Sequence, residues 1–208
     1  MNEYLVDGPD DAKVTFLFAH GAGAGMDHEF MTAIATGLAK TGIKVVRFNF
    51  PYMVKRAEDG KKRPPDRQPK LTDDFLRHIE AFSQDKLVIG GKSMGGRMAS
   101  IIANEANVLA LACLGFPFHP PGKLDKFKGE HLAELEKPSL ILQGERDTFG
   151  KREEVEGYAF SKAVRVQYVP DGDHSFKPRK ASGYTEEQNR QQVITQLSAF
   201  IWEQVDAS

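Results

Sequence analysis

Six short apolar runs, separated by segments with helical periodicity, constrain the fold of this chain more than any other feature. The runs are Val14–His20, Lys44–Phe50, Lys86–Gly90, Val108–Phe116, Ser139–Gln143 and Val164–Val169. Several of them are continuously apolar, which is typical of strands covered on both faces. Strands that alternate with helices in this way predict a parallel sheet with helices on both faces. We therefore expect a three-layer α/β protein whose functional loops follow the carboxyl ends of the strands.

Apolar stripes between the strands predict four helices. They cover Phe30–Leu38 with an N-cap at Asp27, Phe75–Phe82 with its start at Thr72, Met94–Ile102, and a last helix that begins at the capping box of Thr185 and Gln188. Only Leu5–Val6 is available for a strand before the first run, so we expect six to seven strands. No connection between a strand and a helix is long enough for a cap domain.

The whole chain, residues 1–208, is expected to form a single domain with one insertion, Tyr52–Lys70. This segment holds seven Lys or Arg residues against three acidic residues. Because it also contains Pro64, Pro65 and Pro69, we interpret it as a basic loop. The loop is either a solvated, mobile insertion or a device that attracts anionic substrates to a nearby site.

Composition excludes several classes of protein. Lys and Arg number 28 against 29 Asp and Glu, so we expect no nucleic-acid partner. No apolar stretch approaches the ~20 residues of a membrane helix, and the acidic first residues lack the order of a secretory signal. We therefore expect a cytoplasmic protein without a membrane partner. The single cysteine, Cys113, excludes an intrachain disulfide, and no metal-ligand spacing is present, so we expect neither metal nor cofactor.

The segment Gly91–Gly95, with the sequence GKSMG, fits the G-x-S-x-G nucleophile elbow. In that motif a serine lies on a strained turn between a strand and a helix, and the flanking glycines allow the turn. The predicted strand before Ser93 and the predicted helix after it supply the required context. Ser93 is therefore the candidate nucleophile, and a tight turn with an idle serine is the alternative.

A glycine-rich turn, His20–Gly25, follows the first predicted strand. Such a turn can direct backbone N–H groups at a developing oxyanion, together with the N–H of the residue after the nucleophile. We predict Ala22 and Met94 as the two donors, and His20 as a support of the turn. The spacing fits neither of the glycine-rich phosphate-binding patterns, which argues against a nucleotide site.

Two further candidates follow later strands. Asp147 lies just beyond Ser139–Gln143, where a carboxylate can orient a histidine; a turn-forming role is the alternative, and Glu145 is the nearest rival. His174 lies just beyond Val164–Val169. The chain order Ser, Asp, His, with each residue after a different strand, is typical of α/β-hydrolases.

The motifs FLFAHGAGAG, GGKSMGGRMAS, LQGERDTFG and GDHSF resemble those of the small dienelactone-hydrolase-like branch of the α/β-hydrolase superfamily. They are most similar to a hydrolase-like domain in a subunit of a eukaryotic histone acetyltransferase complex. The resemblance spans roughly Val14 to Ile201. It implies Ser93 as nucleophile, His174 as base and Asp147 as acid. Dienelactone hydrolases use a cysteine nucleophile, so their substrate does not carry over.

Residues near these motifs are candidates for a substrate pocket. Phe118 and His119 follow the carboxyl end of a strand, and Gly23 lies on the glycine-rich turn. Arg97, one helical turn past Ser93, is either a partner in a buried salt bridge, which we favour, or a contact for a substrate carboxylate. Cys113 is expected to be a buried core residue.

Together these residues predict a serine hydrolase of the carboxylesterase type, which acts on a small-molecule acyl substrate through an acyl-enzyme. A thioesterase or a peptidase uses the same triad, so both remain alternatives. The third alternative is a binding or scaffold protein of hydrolase fold whose triad is weak or inactive. The oligomeric state is not predicted.

Overall fold

A computed structural model describes residues 3–208. Within this range the chain forms seven strands, which are β1 (Tyr4–Asp7), β2 (Thr15–Ala19), β3 (Lys44–Phe48), β4 (Leu87–Lys92), β5 (Ala110–Leu114), β6 (Ser139–Gly144) and β7 (Val164–Val169). They form one sheet in the order β1-β3-β2-β4-β5-β6-β7. β1 pairs antiparallel with β3, and every other neighbouring pair is parallel. The carboxyl ends of β2 to β7 therefore lie along one edge of the sheet.

Residues 3–208 also form six α-helices and two short 3₁₀ helices, all but the last α-helix and the second 3₁₀ helix lying between strands. They are α1 (Glu29–Ala39), α2 (Pro51–Asp59), α3 (Gln68–Ala81), α4 (Met94–Ile102), α5 (Arg152–Val155) and α6 (Glu186–Asp206), with 3₁₀ turns at Glu130–Glu134 and Lys180–Ser182. α6 begins at the predicted capping box, in which Thr185 Oγ1 accepts from the Gln188 N–H.

The helices cover both faces of the sheet, so the predicted three-layer α/β fold is confirmed. On one face Ile89 and Cys113 of the central strands pack against α2, α3 and α4. On the other face Val88 and Leu114 pack against α1 and α6. The strands carry apolar side chains on both faces because both faces are buried. Within residues 3–208 no connection forms a separate cap domain above the carboxyl edge.

All six predicted strands are present, with ends that differ by at most two residues, and Leu5–Val6 lies in β1. Two predicted helix starts are wrong. His28, not Asp27, caps α1, since its side chain accepts from the Phe30 N–H. α3 begins at Gln68 rather than at Thr72, because Pro69 fits the first turn of a helix and extends it toward the amino end.

The interpretation of Tyr52–Lys70 as a loop is also wrong. Residues 51–59 form α2, and only residues 60–67 lack regular structure before α3 begins. Pro51 stands at the first position of α2, where its missing N–H costs nothing. Gly60 ends the helix in the left-handed conformation, with φ of 71°. The prolines therefore mark the ends and the connection of two helices rather than one long loop.

Candidate active site

Ser93 lies at the turn between β4 and α4, with φ of 51° and ψ of −116°. A positive φ is unfavourable for a residue with a side chain, so the surrounding packing must hold this conformation. A Cβ at Gly95 would lie 2.5 Å from the His20 carbonyl oxygen, and a Cβ at Gly91 would lie 2.6 Å from the Ala19 oxygen. Both glycines are needed because the turn packs against the end of β2.

The three residues predicted to act together are joined by hydrogen bonds. Ser93 Oγ lies 2.9 Å from His174 Nε2, and His174 Nδ1 lies 2.7 Å from Asp147 Oδ2. Because Asp147 Oδ2 can only accept when ionised, Nδ1 carries the ring proton and Nε2 accepts from the serine hydroxyl. This arrangement allows His174 to take the Ser93 proton while Asp147 holds the imidazole in the required tautomer.

Asp147 is fully buried, and its carboxylate is held by groups other than His174. Its Oδ1 accepts from the Phe149 N–H at 2.9 Å, and its Oδ2 accepts from Gln143 Nε2 at 3.0 Å. The rival Glu145 contacts the Asp171 N–H and Arg152 instead. Of the two candidate acids, the structure therefore brings only Asp147 to His174.

Gln143 holds the candidate acid in place and was not predicted from the sequence. Besides Asp147, its amide binds both the N–H and the carbonyl of Phe116, at 2.8 and 3.3 Å. The side chain thus ties the acid to the loop that follows β5. The sequence feature that indicates this role is the glutamine at the end of the mostly apolar run Ser139–Gln143, since a buried amide in such a strand needs hydrogen-bond partners.

The glycine-rich turn is supported by His20, as expected. Its Nδ1–H donates to the Gly21 carbonyl at 2.6 Å, and its Nε2 accepts from the Phe50 N–H at 3.0 Å. These two bonds require the neutral ring. Burial disfavours the charged form and lowers the pKa of His20 to about 4. His20 is therefore a neutral residue that links the end of β2 to the start of α2, and its ring nitrogens bond to Gly21 and Phe50 rather than to Ser93.

Helix α2 binds the next two carbonyls of the same turn. Tyr52 Oη donates to the Ala22 carbonyl at 2.9 Å, and Arg56 Nη1 donates to the Gly23 carbonyl at 2.9 Å. Tyr52 and Arg56 are four residues apart, so they lie on one face of the helix. The sequence reasoning missed both residues because it did not recognise α2 as a helix.

The bound carbonyls orient the backbone donors of the turn. In a trans peptide the N–H points away from the carbonyl of the same unit, so fixing the Gly21 carbonyl fixes the Ala22 N–H in the opposite direction. The Ala22 N–H has no acceptor among residues 3–208. Met94 begins α4, and its N–H is one of the unpaired donors at a helix amino end. Both predicted oxyanion donors are thus available.

An open cavity of about 310 Å³ lies in front of Ser93 and His174. Its walls include Ala22, Gly23 and the rings of Phe30 and Phe149. Gly23, a predicted pocket residue, therefore lines the same cavity as Ser93 and His174. The ring of Phe149 also packs on the His174 imidazole, with 4.3 Å between centroids.

The prediction of Phe118 and His119 as pocket residues is wrong, because neither lines this cavity. Phe118 is fully buried and packs against Phe127 and Tyr158. His119 is also buried, and its ring contacts Glu154 and the Pro120 carbonyl. The chain turns inward after β5, so these two side chains belong to a core cluster rather than to the open edge.

Arg97 is half-buried but does not form the favoured salt bridge. Its guanidinium donates to the Gln68 side chain at 3.3 Å and to the Lys128 carbonyl at 3.4 Å, and burial lowers its pKa. It does not line the cavity at Ser93 either. Cys113 is fully buried in β5, which raises the pKa of its thiol and agrees with the expected core role.

Residues 3–208 contain no group of three or more His, Cys, Asp or Glu side chains arranged to hold a metal ion. No helix in the same range is both long enough and apolar enough to cross a membrane.

Residues 12–202 match the family model described as alpha/beta hydrolase domain. No curated protein sequence matches the chain significantly. The fold is similar to dienelactone hydrolase from Anabaena variabilis, at 20% identity and a TM-score of 0.72, over 96% of this chain and 90% of that one. It is also similar to a serine hydrolase without lid from Xanthomonas campestris, at 20% identity and a TM-score of 0.71, over 96% of this chain and 88% of that one. Est1E from Butyrivibrio proteoclasticus, solved with ferulic acid, is similar at 16% identity and a TM-score of 0.71, over 98% of this chain and 95% of that one.

Proposed function

The chain belongs to the alpha/beta hydrolase family, and from this we propose that it is a serine hydrolase that cleaves small carboxylic esters through an acyl-enzyme. The observation that carries the proposal is the continuous hydrogen-bonded chain from Ser93 through His174 to Asp147. A serine on an elbow with no partner is a turn residue. A serine bonded to a histidine that is itself oriented by a buried carboxylate is equipped as a nucleophile.

In the first half of the reaction Ser93 Oγ attacks the ester carbonyl carbon, and its proton moves to His174 Nε2. The resulting imidazolium is stabilised by Asp147, which lies 2.7 Å from Nδ1. When the tetrahedral intermediate collapses, the bond between the carbonyl carbon and the alcohol oxygen breaks. The alcohol leaves with the proton from Nε2, and the acyl group stays on Ser93.

In the second half a water molecule gives its proton to His174 Nε2 and attacks the acyl carbon. The bond to Ser93 Oγ then breaks, the serine takes the proton back, and the acid is released. In both halves the carbonyl oxygen becomes negative and accepts from the N–H groups of Ala22 and Met94. By analogy with measured oxyanion donors, each is worth about 3 kcal/mol of the barrier.

The cavity supports a small or exposed acyl group rather than a long lipid chain. Its volume of about 310 Å³ is at the low end for ligand pockets, and it opens directly to solvent. Its walls near Ser93 are mostly apolar, including Phe30, Met31 and Phe149. Est1E, whose fold is similar, was solved with ferulic acid, so aryl-substituted acyl groups are reasonable first substrates.

The triad alone does not choose among leaving groups, so a thioesterase or a peptidase remains the second proposal. The third is a scaffold protein of hydrolase fold with an inactive triad. The bonded state of all three triad residues favours an enzyme over this scaffold.

A substrate panel tests the choice of reaction. The purified protein is assayed with acyl esters, acyl thioesters and acyl amides of matched acyl chains from two to eight carbons. We expect kcat/KM to be highest for short esters and to fall as the chain lengthens. A higher kcat/KM for thioesters or amides reassigns the leaving group, and no turnover of any class favours the scaffold.

A further inference from the structure

Lys92 places a charged side chain in an apolar layer of the protein. It is the last residue of β4, and by the alternation of a strand it shares its face with Val88, which packs against α1 and α6. Its side chain is only 9% exposed. A buried ammonium costs free energy unless it is well partnered, so a lysine at this position requires a reason.

The ammonium of Lys92 binds the backbone of the candidate base. Nζ donates to the main-chain carbonyl of His174 at 2.5 Å, and the rings of Phe30 and Phe176 lie 5.5 and 6.0 Å away. A Cβ at Gly115 would lie 2.7 Å from Nζ, so the β5 loop also closes over the group. The partner is thus one carbonyl, held by a charge-assisted bond between the strand of Ser93 and the loop of His174.

We infer that Lys92 is a positioning residue for His174: its ammonium fixes the main chain of the base relative to the strand that carries the nucleophile. This inference rests on the proposed function. Lys92, the residue before the nucleophile, therefore helps to set the distance between Ser93 Oγ and His174 Nε2, which the side chains of Ser93 and His174 do not fix by themselves. Loss of the bond frees the His174 loop to move by a fraction of an ångström, which is enough to slow proton transfer.

The bond also gives the site a pH dependence. Burial lowers the pKa of Lys92 to about 8, while the charges of Asp147 and Asp173 act in the opposite direction. The other titratable group that faces Nζ is His174 itself. Below pH 8 the charged ammonium donates strongly. Above pH 8 the neutral amine still donates, but without the assistance of the charge, so the positioning weakens.

The test compares Lys92→Met, which removes the donor, with Lys92→Gln, which keeps an N–H donor without the charge. Lys137→Met is the control, because Lys137 Nζ donates to the Val108 carbonyl at 3.0 Å, at the opposite edge of the sheet. Amide hydrogen exchange of residues 171–176 measures the mobility of the loop without requiring any activity. The pH profile of kcat on a p-nitrophenyl acetate assay measures the consequence for the base.

We expect Lys92→Met to speed exchange in residues 171–176 about tenfold and to lower kcat by between about 10- and 100-fold, with KM little changed. We expect wild-type kcat to decline above pH 8. Lys92→Gln should have a kcat and a loop exchange rate between those of Lys92→Met and wild type, and its kcat should not show that decline. Lys137→Met should behave as wild type in both measurements. If Lys92→Met fails to fold, the amide exchange of residues 171–176 and the pH profile of kcat in Lys92→Gln are sufficient to test the inference.

Two results separate this inference from the proposed function. Suppose that wild type hydrolyses the ester, and that the folded Lys92 variants exchange loop amides at the wild-type rate with an unchanged pH profile. This result overturns the role of Lys92 and leaves the proposed esterase activity intact. If Lys92→Met exchanges its loop amides faster than wild type, while wild type does not hydrolyse the ester, the bond between Lys92 and the His174 loop is supported and the esterase is rejected.

Discussion

Tyr52 donates a hydrogen bond from its hydroxyl to the carbonyl of Ala22 at 2.9 Å, and it thereby links helix α2 to the proposed oxyanion turn. The tyrosine is 2% exposed, and burial raises the pKa of its hydroxyl, so it stays a donor at every working pH. Together with His20 and Arg56, it holds three successive carbonyls of the turn. The Tyr52 hydroxyl also lies 3.3 Å from the Gly21 carbonyl, which belongs to the same peptide unit as the Ala22 N–H. The orientation of that N–H thus depends on a helix residue that does not line the cavity at Ser93.

Tyr52→Phe should lower kcat about tenfold on a short p-nitrophenyl ester, with KM nearly unchanged. The ring is kept, so packing survives, while the turn loses one of the bonds that orient its N–H groups. The effect should be smaller than the 10²- to 10³-fold cost of deleting an oxyanion donor itself. Tyr158→Phe is the matched control and should retain full activity. Equal kcat in the two variants would show that α2 does not position the turn.

Asp147→Asn should lower kcat by about 10⁴-fold while the protein remains folded. An amide donates as well as accepts, so the His174 ring loses the acceptor that fixes its tautomer. Glu145→Gln is the comparison variant, because Glu145 is the rival acid and contacts Arg152 instead. A larger loss of kcat in Glu145→Gln than in Asp147→Asn would reverse the assignment.

Gly95→Ala should destabilise the fold, since the new Cβ would lie 2.5 Å from the His20 carbonyl oxygen. Overpacking of this kind costs about 1–3 kcal/mol in the free energy of unfolding. Gly23→Ala is the control, because no atom lies within 4 Å of its Cβ position. Urea denaturation of both variants measures the difference. Equal unfolding free energies would mean that the elbow can relax around the methyl group.

His20 should make stability fall as the pH drops from about 6.5 to about 4. The unfolded chain takes up the proton near pH 6.5, whereas burial in the folded state lowers the pKa of His20 to about 4. Between these values the unfolded state binds more protons, so acid favours unfolding by up to about 3 kcal/mol. His20→Gln should be less stable than wild type at pH 7 but less sensitive to pH in that window. If the free energy of unfolding changed with pH equally in wild type and His20→Gln, His20 would not be the origin of the acid sensitivity.

The sequence predicted those features that follow from strand order and local motifs. Because parallel strands end at one edge of the sheet, Ser93, Asp147 and His174 could be placed together from their positions after three strands. Contacts between distant elements leave no such pattern. The bond from Gln143 to Asp147 and the bond from Lys92 to the His174 carbonyl depend on the packing of separate loops.

Two wrong predictions, of pocket residues after β5 and of a loop at Tyr52–Lys70, have different physical sources. Phe118 and His119 follow a strand's carboxyl end, as a pocket residue should, but the chain turns inward there and buries both side chains. The prolines near α2 were interpreted as loop residues, although Pro51 and Pro69 stand in the first turns of helices. Proline is compatible with either position, so composition could not decide between them.

Covalent labelling of Ser93 tests the central claim most directly. The wild-type protein is incubated with a fluorophosphonate probe, and the modified peptide is identified by mass spectrometry, with Ser93→Ala as the control. We predict one probe molecule per chain on Ser93 in wild type, and none in the folded Ser93→Ala variant. Absence of labelling in the folded wild-type protein, or labelling of Ser93→Ala to the same extent, would contradict the account of Ser93 as an activated nucleophile.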